Sequence, residues 1–217
     1  MKFNKKVVLT LTLALTGAIS LGAVSSFAID PITNNVQSIE KSVEINNKMQ
    51  PKNLVQVGNE FITNIELSNY KVYNSVGPNN LLDDVEILKQ MAREKLYLQL
   101  AKEKKLEATL EEGRAEAKKN RELLNRQTTE IQNIQKKFID SMGLSEDQYW
   151  NDFAPAEYQK ILTSKNLTKK LIEDQIIKAD QYNNEFGKQL DQFKQKLYLS
   201  SLKNKTLKAL DSSIHLD

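Results

Sequence analysis

Residues 54–67 read LVQVGNEFITNIEL, and within this one stretch the chain turns from strand chemistry to helix chemistry. Leu54-Val55-Gln56-Val57 and Glu60-Phe61-Ile62 are short β-prone runs on either side of Gly58-Asn59, a pattern that predicts a small hairpin or extended arm. Thr63-Asn64-Ile65-Glu66 follows as a capping box. The Thr63 hydroxyl can accept from the amide three residues on, and Glu66 can reach back to the Thr63 amide. A first helix is therefore predicted over residues 64–76, stopped by Gly77-Pro78. No other run in the chain carries a strand signal.

Downstream, helix signals follow one another. A second helix is predicted over residues 80–105, because Leu81, Val85, Leu88, Ala92, Leu96 and Leu100 advance by three or four. Ile87, Met91 and Leu98 widen that face, as in a helix packed on two sides. Thr109-Leu110-Glu111-Glu112 is another capping box, opening a long helix predicted to reach Met142, with Gly143 as its left-handed stop. Between Ala115 and Thr129 only Ala115, Ala117, Leu123 and Leu124 are apolar. This part is expected either to project as an arm or to break near Gln127-Thr128-Thr129. Ser145-Glu146-Asp147-Gln148 restarts the helix, and Pro155 is expected to kink or restart it again. Phe186, Leu190, Phe193 and Leu197 draw a last amphipathic helix, predicted to run to about Leu210 before a short frayed tail.

Upstream, residues 1–28 have the form of a secretory signal. Lys2, Lys5 and Lys6 precede an apolar run, and Ser26-Phe27-Ala28 offers small residues for cleavage after Ala28. Residues 29–53 are polar and bounded by Pro31 and Pro51, which reads as a flexible leader. The expected organisation is thus a signal peptide (1–28), a leader (29–53), a helical domain (54–177) and a C-terminal amphipathic helix (178–217) packing on or extending it. The fold class is mainly α, an elongated multi-helix domain with one short β-hairpin or extended arm near its start.

Composition narrows the chemistry. The chain has no cysteine, which excludes disulfides, thiolate metal sites, cysteine nucleophiles and a lipoprotein anchor. Its net charge of +3 comes from the signal. Removing Lys2, Lys5 and Lys6 leaves 28 basic against 28 acidic residues, so the electrostatic case for nucleic-acid binding disappears. One histidine, His215, sits near the C-terminus and is read as solvated. The carboxylate pairs Asp83-Asp84, Glu111-Glu112, Glu146-Asp147 and Glu173-Asp174 are neighbours in sequence, so on a helix they point apart. Three of them fall at helix starts, where they favour the dipole. No Gly-rich phosphate loop occurs. No catalytic residue, metal site or cofactor is expected.

The order of these features resembles the N-terminal chaperone domain of SurA/PrsA-type foldases, in the trigger factor/SurA peptide-binding superfamily. Residues 55–67 resemble that family's opening strand, turn, Ile-Thr and helix start, with Gly-Asn here where the family usually has Asn-Gly. Residues 82–105 (LDDVEILKQMAREKLYLQLAKEKK) are similar to its next helix, and Leu110-Glu111-Glu112 to the acidic start of its long third helix. Residues 138–153 (FIDSMGLSEDQYWNDF) resemble its Gly-Leu-Ser restart leading to an aromatic. The resemblance implies extracytoplasmic binding of unfolded or extended exported polypeptides in an apolar cleft between helices. Many members insert a parvulin prolyl-isomerase domain before a final helix; the interval 177–186 has no room for one, so isomerase activity is not expected.

The aromatic residues Tyr70, Tyr73, Tyr149, Trp150, Phe153 and Tyr158 are the candidates for client contact. Each has a competing structural reading; Tyr149, Trp150 and Phe153 in particular suit a core plug that locks the helix restart. The alternative function is a helical adaptor of the cell surface working through coiled-coil or partner-helix contacts, although residues 115–135 show no sustained heptads. The expected partners are unfolded exported polypeptides, with no nucleic acid and no stable membrane anchor after cleavage; a homodimer is left open. The expected location is secreted or extracytoplasmic.

Overall fold

The structure, a computed structural model, describes residues 49–74, 83–178 and 184–217. The expected signal segment (1–28), residues 29–48 of the expected leader, the Gly77-Pro78 stop and the Asn80 start lie outside the described residues. The described chain is mainly helical with a small antiparallel sheet: β1 (Asn53–Val57), β2 (Glu60–Thr63), α1 (Asn64–Asn74), α2 (Asp84–Glu103), α3 (Leu110–Asn125), α4 (Thr129–Ser141), the short α5 (Glu146–Gln148), a π-helical turn (Tyr149–Phe153), α6 (Ala154–Glu173), α7 (Asn184–Lys203) and β3 (Leu207–Ala209). Two compact units are formed. A sheet unit gathers Pro51–Leu67, Asp83–Thr109 and Gln159–Asp217; a helical unit is built on Leu110–Tyr158 with the described residues of Ser68–Leu82.

In the sheet unit the predicted hairpin is present. β1 and β2 pair antiparallel with Val55 opposite Ile62 and Val57 opposite Glu60. Gly58 makes the turn at φ 58°, and a Cβ there would lie 2.6 Å from Gln99 Oε1. The close approach has a use, because Gln99 Nε2 donates to the Val57 carbonyl at 2.8 Å. The capping box forms as read, with Thr63 N to Glu66 Oε2 at 2.8 Å and Glu66 N to Thr63 Oγ1 at 3.1 Å. Strand alternation then sorts the residues: Val55, Val57, Ile62 and Leu207 are buried, while Gln56, Phe61 and Lys208 form the opposite row. The sheet packs on α2, and α7 packs on α2 and β3.

β3 corrects the expectation of a helix to Leu210 with a frayed tail. α7 ends at Lys203, Lys205 turns the chain at φ 63°, and Leu207–Ala209 pairs with β1, which becomes the central strand. Gly58 N donates to Thr206 O at 2.7 Å and Leu210 N to Leu54 O at 2.8 Å, extending the ladder at both ends. Three residues without a β-branched side chain carry no strand signal of their own. The pairing comes from the open edge of β1 and from burial of Leu207.

Helix α2 supplies the centre, with Ile87, Leu88, Met91, Ala92, Leu96, Tyr97 and Ala101 buried. Tyr97 and Ala101 pack with Leu167 and Leu171 of α6 and with Ile177; Phe186, Leu190 and Phe193 of α7 close over them. The Lys194 ammonium lies 4.8 Å from the Tyr97 ring centroid and donates to both Glu94 carboxylate oxygens at 2.7 and 2.8 Å. The loop after α2 is held by α6 at spacings of four and three. Gln159 donates to Ala108 O, Thr163 accepts from Ala108 N, and Asn166 donates to Leu106 O.

Four helices stop in the same way. The paired bonds of a Schellman motif follow α2 (Leu106 N to Ala101 O, Lys105 N to Lys102 O), α4 (Leu144 N to Ile139 O, Gly143 N to Asp140 O), α6 (Ile176 N to Leu171 O, Gln175 N to Ile172 O) and α7 (Thr206 N to Ser201 O, Lys205 N to Leu202 O). Only α4 has the glycine the sequence announced. Lys105, Gln175 and Lys205 hold φ of 57°, 57° and 63°. A side chain in that region costs about 1–2 kcal/mol, partly offset for glycine by its larger unfolded-state entropy. Lys105→Gly or Gln175→Gly is therefore expected to raise stability by up to about 1 kcal/mol in urea unfolding. A loss of stability at both positions would contradict this account of the stops.

Burial also sets a pH dependence. Tyr97 is pushed up to about 12 by burial, with the Thr168 hydroxyl 2.8 Å away working against the shift. Tyr198 is likewise raised to about 12 by burial, against the pull of Arg93. Both folded values lie above the ordinary 10.0, so the folded state holds these protons longer than the unfolded one. Their contribution is complete below pH 10 and is lost as pH rises from 10 towards 12. Tyr97→Phe is expected to flatten the alkaline fall in stability, followed by circular dichroism alongside near-ultraviolet phenolate absorbance. An unchanged slope would mean that the phenol ionises as readily in the folded chain as in the unfolded one.

Candidate functional site

Three of the aromatic residues singled out in the sequence, Tyr149, Trp150 and Phe153, meet in the helical unit. Residues 110–141 form two helices rather than one. Asn125 ends α3, Thr128 caps α4 by accepting from Ile131 N, and the Gln132 amide donates to Gln127 O and Asn125 O at 2.9 and 3.3 Å. Of the two expectations for this stretch, the break is the one realised, and α4 packs against α3. α3 buries a narrow stripe of Gly113, Ala117, Asn120 and Leu124, which advance by four, three and four. Small side chains let it approach the π-helical turn, against which it packs.

That turn is set from both sides. Before it, the Ser145 box is complete, with Ser145 N to Gln148 Oε1 at 2.9 Å and Gln148 N to Ser145 Oγ at 3.2 Å. Gly143, at φ 69°, frees the chain to enter the box. After it stands Pro155, which has no amide hydrogen and whose ring would strike the carbonyl four residues back in an α-helix. Widening to five-residue bonds, seen as Ala154 N to Tyr149 O, opens the last turn before the proline and lets the helix continue into α6. A kink or restart is expected at this position; the backbone stays helical through it, with the wide turn in front of the proline.

The wide turn puts three rings on one another. Tyr149 stacks on Phe153 at 5.5 Å between centroids, meets Trp150 edge-on at 5.0 Å, and meets Phe138 of α4 edge-on at 6.5 Å. Tyr149 and Trp150 are 3% and 5% exposed, and Tyr158, one turn into α6, is 4% exposed; Phe153 is half-buried. Phe138, Tyr149, Trp150 and Phe153 thus form a folded cluster whose accessible member is Phe153. Tyr70 is half-buried on α1; Tyr73 lies on the same helix, and its side chain is outside the described residues.

Two residues of this unit carry interest that the sequence reading passed over. Phe138 is the third ring on Tyr149. Gln135 is 1% exposed, and neither atom of its side-chain amide has a hydrogen-bond partner. Its signal was available: Ile131, Gln135, Phe138 and Met142 advance by four, three and four, so a polar residue stands in an apolar row. A buried amide left unpaired costs about 1–3 kcal/mol.

Among the described residues no group of three or more His, Asp or Glu could hold a metal ion. His215 is exposed, and Arg121 stands 3.9 and 3.7 Å from the Glu146 and Asp147 carboxylates, a loose surface pairing. Among the described residues no helix is long and apolar enough to cross a membrane. No protein family, curated protein or solved structure was found to match the chain.

Proposed function

We propose that the chain is an extracytoplasmic chaperone-like protein that holds unfolded or extended exported polypeptides against apolar surface, without isomerase activity. The reading rests on one observation, the order of elements from β1 to the Ser145 restart. Strand, Gly58-Asn59 turn, capped α1, apolar α2, acidic start of α3 and Gly143-Leu144-Ser145 restart follow in the sequence order for which the SurA/PrsA-type resemblance was drawn. A final helix, α7, returns onto α2. Exposed apolar side chains give the reading a chemical means: Phe61 is 41% exposed, and Ile176, Leu199 and Leu210 are also exposed in the same unit. The adaptor reading asks for a long uninterrupted polar helix, and residues 110–141 are broken into helices of 16 and 13 residues.

The test is suppression of aggregation of several unrelated unfolded exported proteins by the chain without its signal. Protection near equimolar ratio is the expected result, and no protection at large excess for any of them would sink the proposal. Phe153→Ala and Trp150→Ala separate contact from packing. Phe153→Ala is expected to reduce protection while keeping the fold; Trp150→Ala is expected to act through the fold.

A further inference from the structure

In the sheet unit, residues 211–217 lie against α2 and α7 without forming helix or strand beyond the turn at 211–213. Asp211 anchors the start of this segment: its carboxylate takes the Lys52 ammonium, the Ser213 amide and the Ser213 hydroxyl. Beyond the anchor, side chains of α7 and α2 reach the segment. The Tyr198 hydroxyl of α7 donates to the main-chain oxygen of Leu216 at 2.6 Å, and Lys89 Nζ of α2 donates to that of Asp217 at 3.2 Å. The Leu216 side chain is 5% exposed, whereas His215 and Asp217 are exposed. The Tyr198 ring is backed by the Arg93 guanidinium at 6.0 Å, itself fixed by donation to Gln195 Oε1 at 2.9 Å.

A peptide carbonyl such as that of Leu216 and one apolar side chain are what any extended polypeptide can offer. A site that reads only these is indifferent to most of a partner's sequence. We propose that the groove between α2 and α7, lined by Lys89, Arg93 and Tyr198, is a binding site for extended polypeptide segments bearing a leucine-like side chain. Residues 214–217 are its resident occupant in cis. The inference rests on the polypeptide-binding reading given above and adds to it a place and a self-occupied state. A resident segment lowers the apparent affinity for any competitor by the fraction of time the groove is empty.

The experiment uses a fluorescent pentapeptide Ser-Ile-His-Leu-Asp, the sequence of residues 213–217, and follows its anisotropy. It compares the unaltered chain with Leu216→Ser, and with Leu216→Ser combined with Tyr198→Phe. Leu216→Ser is expected to bind the peptide about tenfold or more tightly than the unaltered chain, and adding Tyr198→Phe to weaken it again several-fold. Equal affinity for the unaltered and Leu216→Ser chains overturns the proposal. If Leu216→Ser does not fold, a chain ending at Ile214 replaces it; failure of both to fold makes the segment a core element and overturns the proposal as well. A dimer of the unaltered chain that dissociates on Leu216→Ser would make a second copy the occupant, with the same consequence. Aggregation suppression is not the readout, so protection without groove binding, or binding without protection, tells the two proposals apart.

Discussion

Tyr149→Ala is expected to lower the stability of the helical unit by about 3–5 kcal/mol, the range for removing a large buried ring. Tyr149 is the ring that Phe138, Trp150 and Phe153 all contact, so its loss strips the cluster of its centre and leaves a cavity between α4 and the π-helical turn. The measurement is direct. Trp150 is the chain's single tryptophan, and it sits 5.0 Å from the deleted ring, so its fluorescence in urea reports this unit. Phe153→Ala is expected to cost less, about 1–2 kcal/mol, because that ring is already partly in water. If Tyr149→Ala shifted the transition no more than Phe153→Ala, the cluster would be a surface feature, and direct client contact by Tyr149 and Trp150 would gain ground.

Leu207→Ala should cost the sheet unit about 2–5 kcal/mol. Leu207 is 2% exposed and stands opposite Val57, so it closes the buried face of the sheet. Without β3 the sheet falls back to a two-stranded hairpin, which is marginal in water. Hydrogen exchange at the amides of β1, with circular dichroism in urea, measures the effect away from the Trp150 signal. Lys208→Ala serves as the control: its side chain is exposed on the opposite row, and the change should stay within about 0.5 kcal/mol. Equal effects for the two substitutions would mean that β3 contributes backbone pairing alone, with no core closure.

At several positions local chemistry was enough. The Thr63–Glu66 and Ser145–Gln148 boxes, the Gly58 turn and the Gly143 stop formed as read, because each is decided within three or four residues of chain. The same holds for the aromatic cluster, whose residues 149, 150 and 153 are neighbours in sequence. The burial of Tyr149, Trp150 and Tyr158 was a different matter: a row of aromatics has the same pattern whether it faces a neighbour helix or a partner. The stops at Lys105, Gln175 and Lys205 were illegible for a related reason. Nothing in a lysine or glutamine announces a left-handed backbone, which is imposed there by the bonds that close the helix.

By itself the sequence determined the helical class, the two β-prone runs around Gly58-Asn59, the Thr63 and Ser145 capped starts and the apolar α2, all of them consequences of periodicity and short-range hydrogen bonding. Tertiary structure alone decided that Leu207–Ala209 would be a strand, that Gln135 would be buried with its amide unpaired, and that Tyr198 would grip the main chain at Leu216. These depend on partners far away in the chain: β1 lies about 150 residues from β3, and Lys89 meets Asp217 across a separation of 128. A free strand edge or an open groove is a property of the assembled surface. A three-residue segment with no local preference takes its conformation from the edge it lands on.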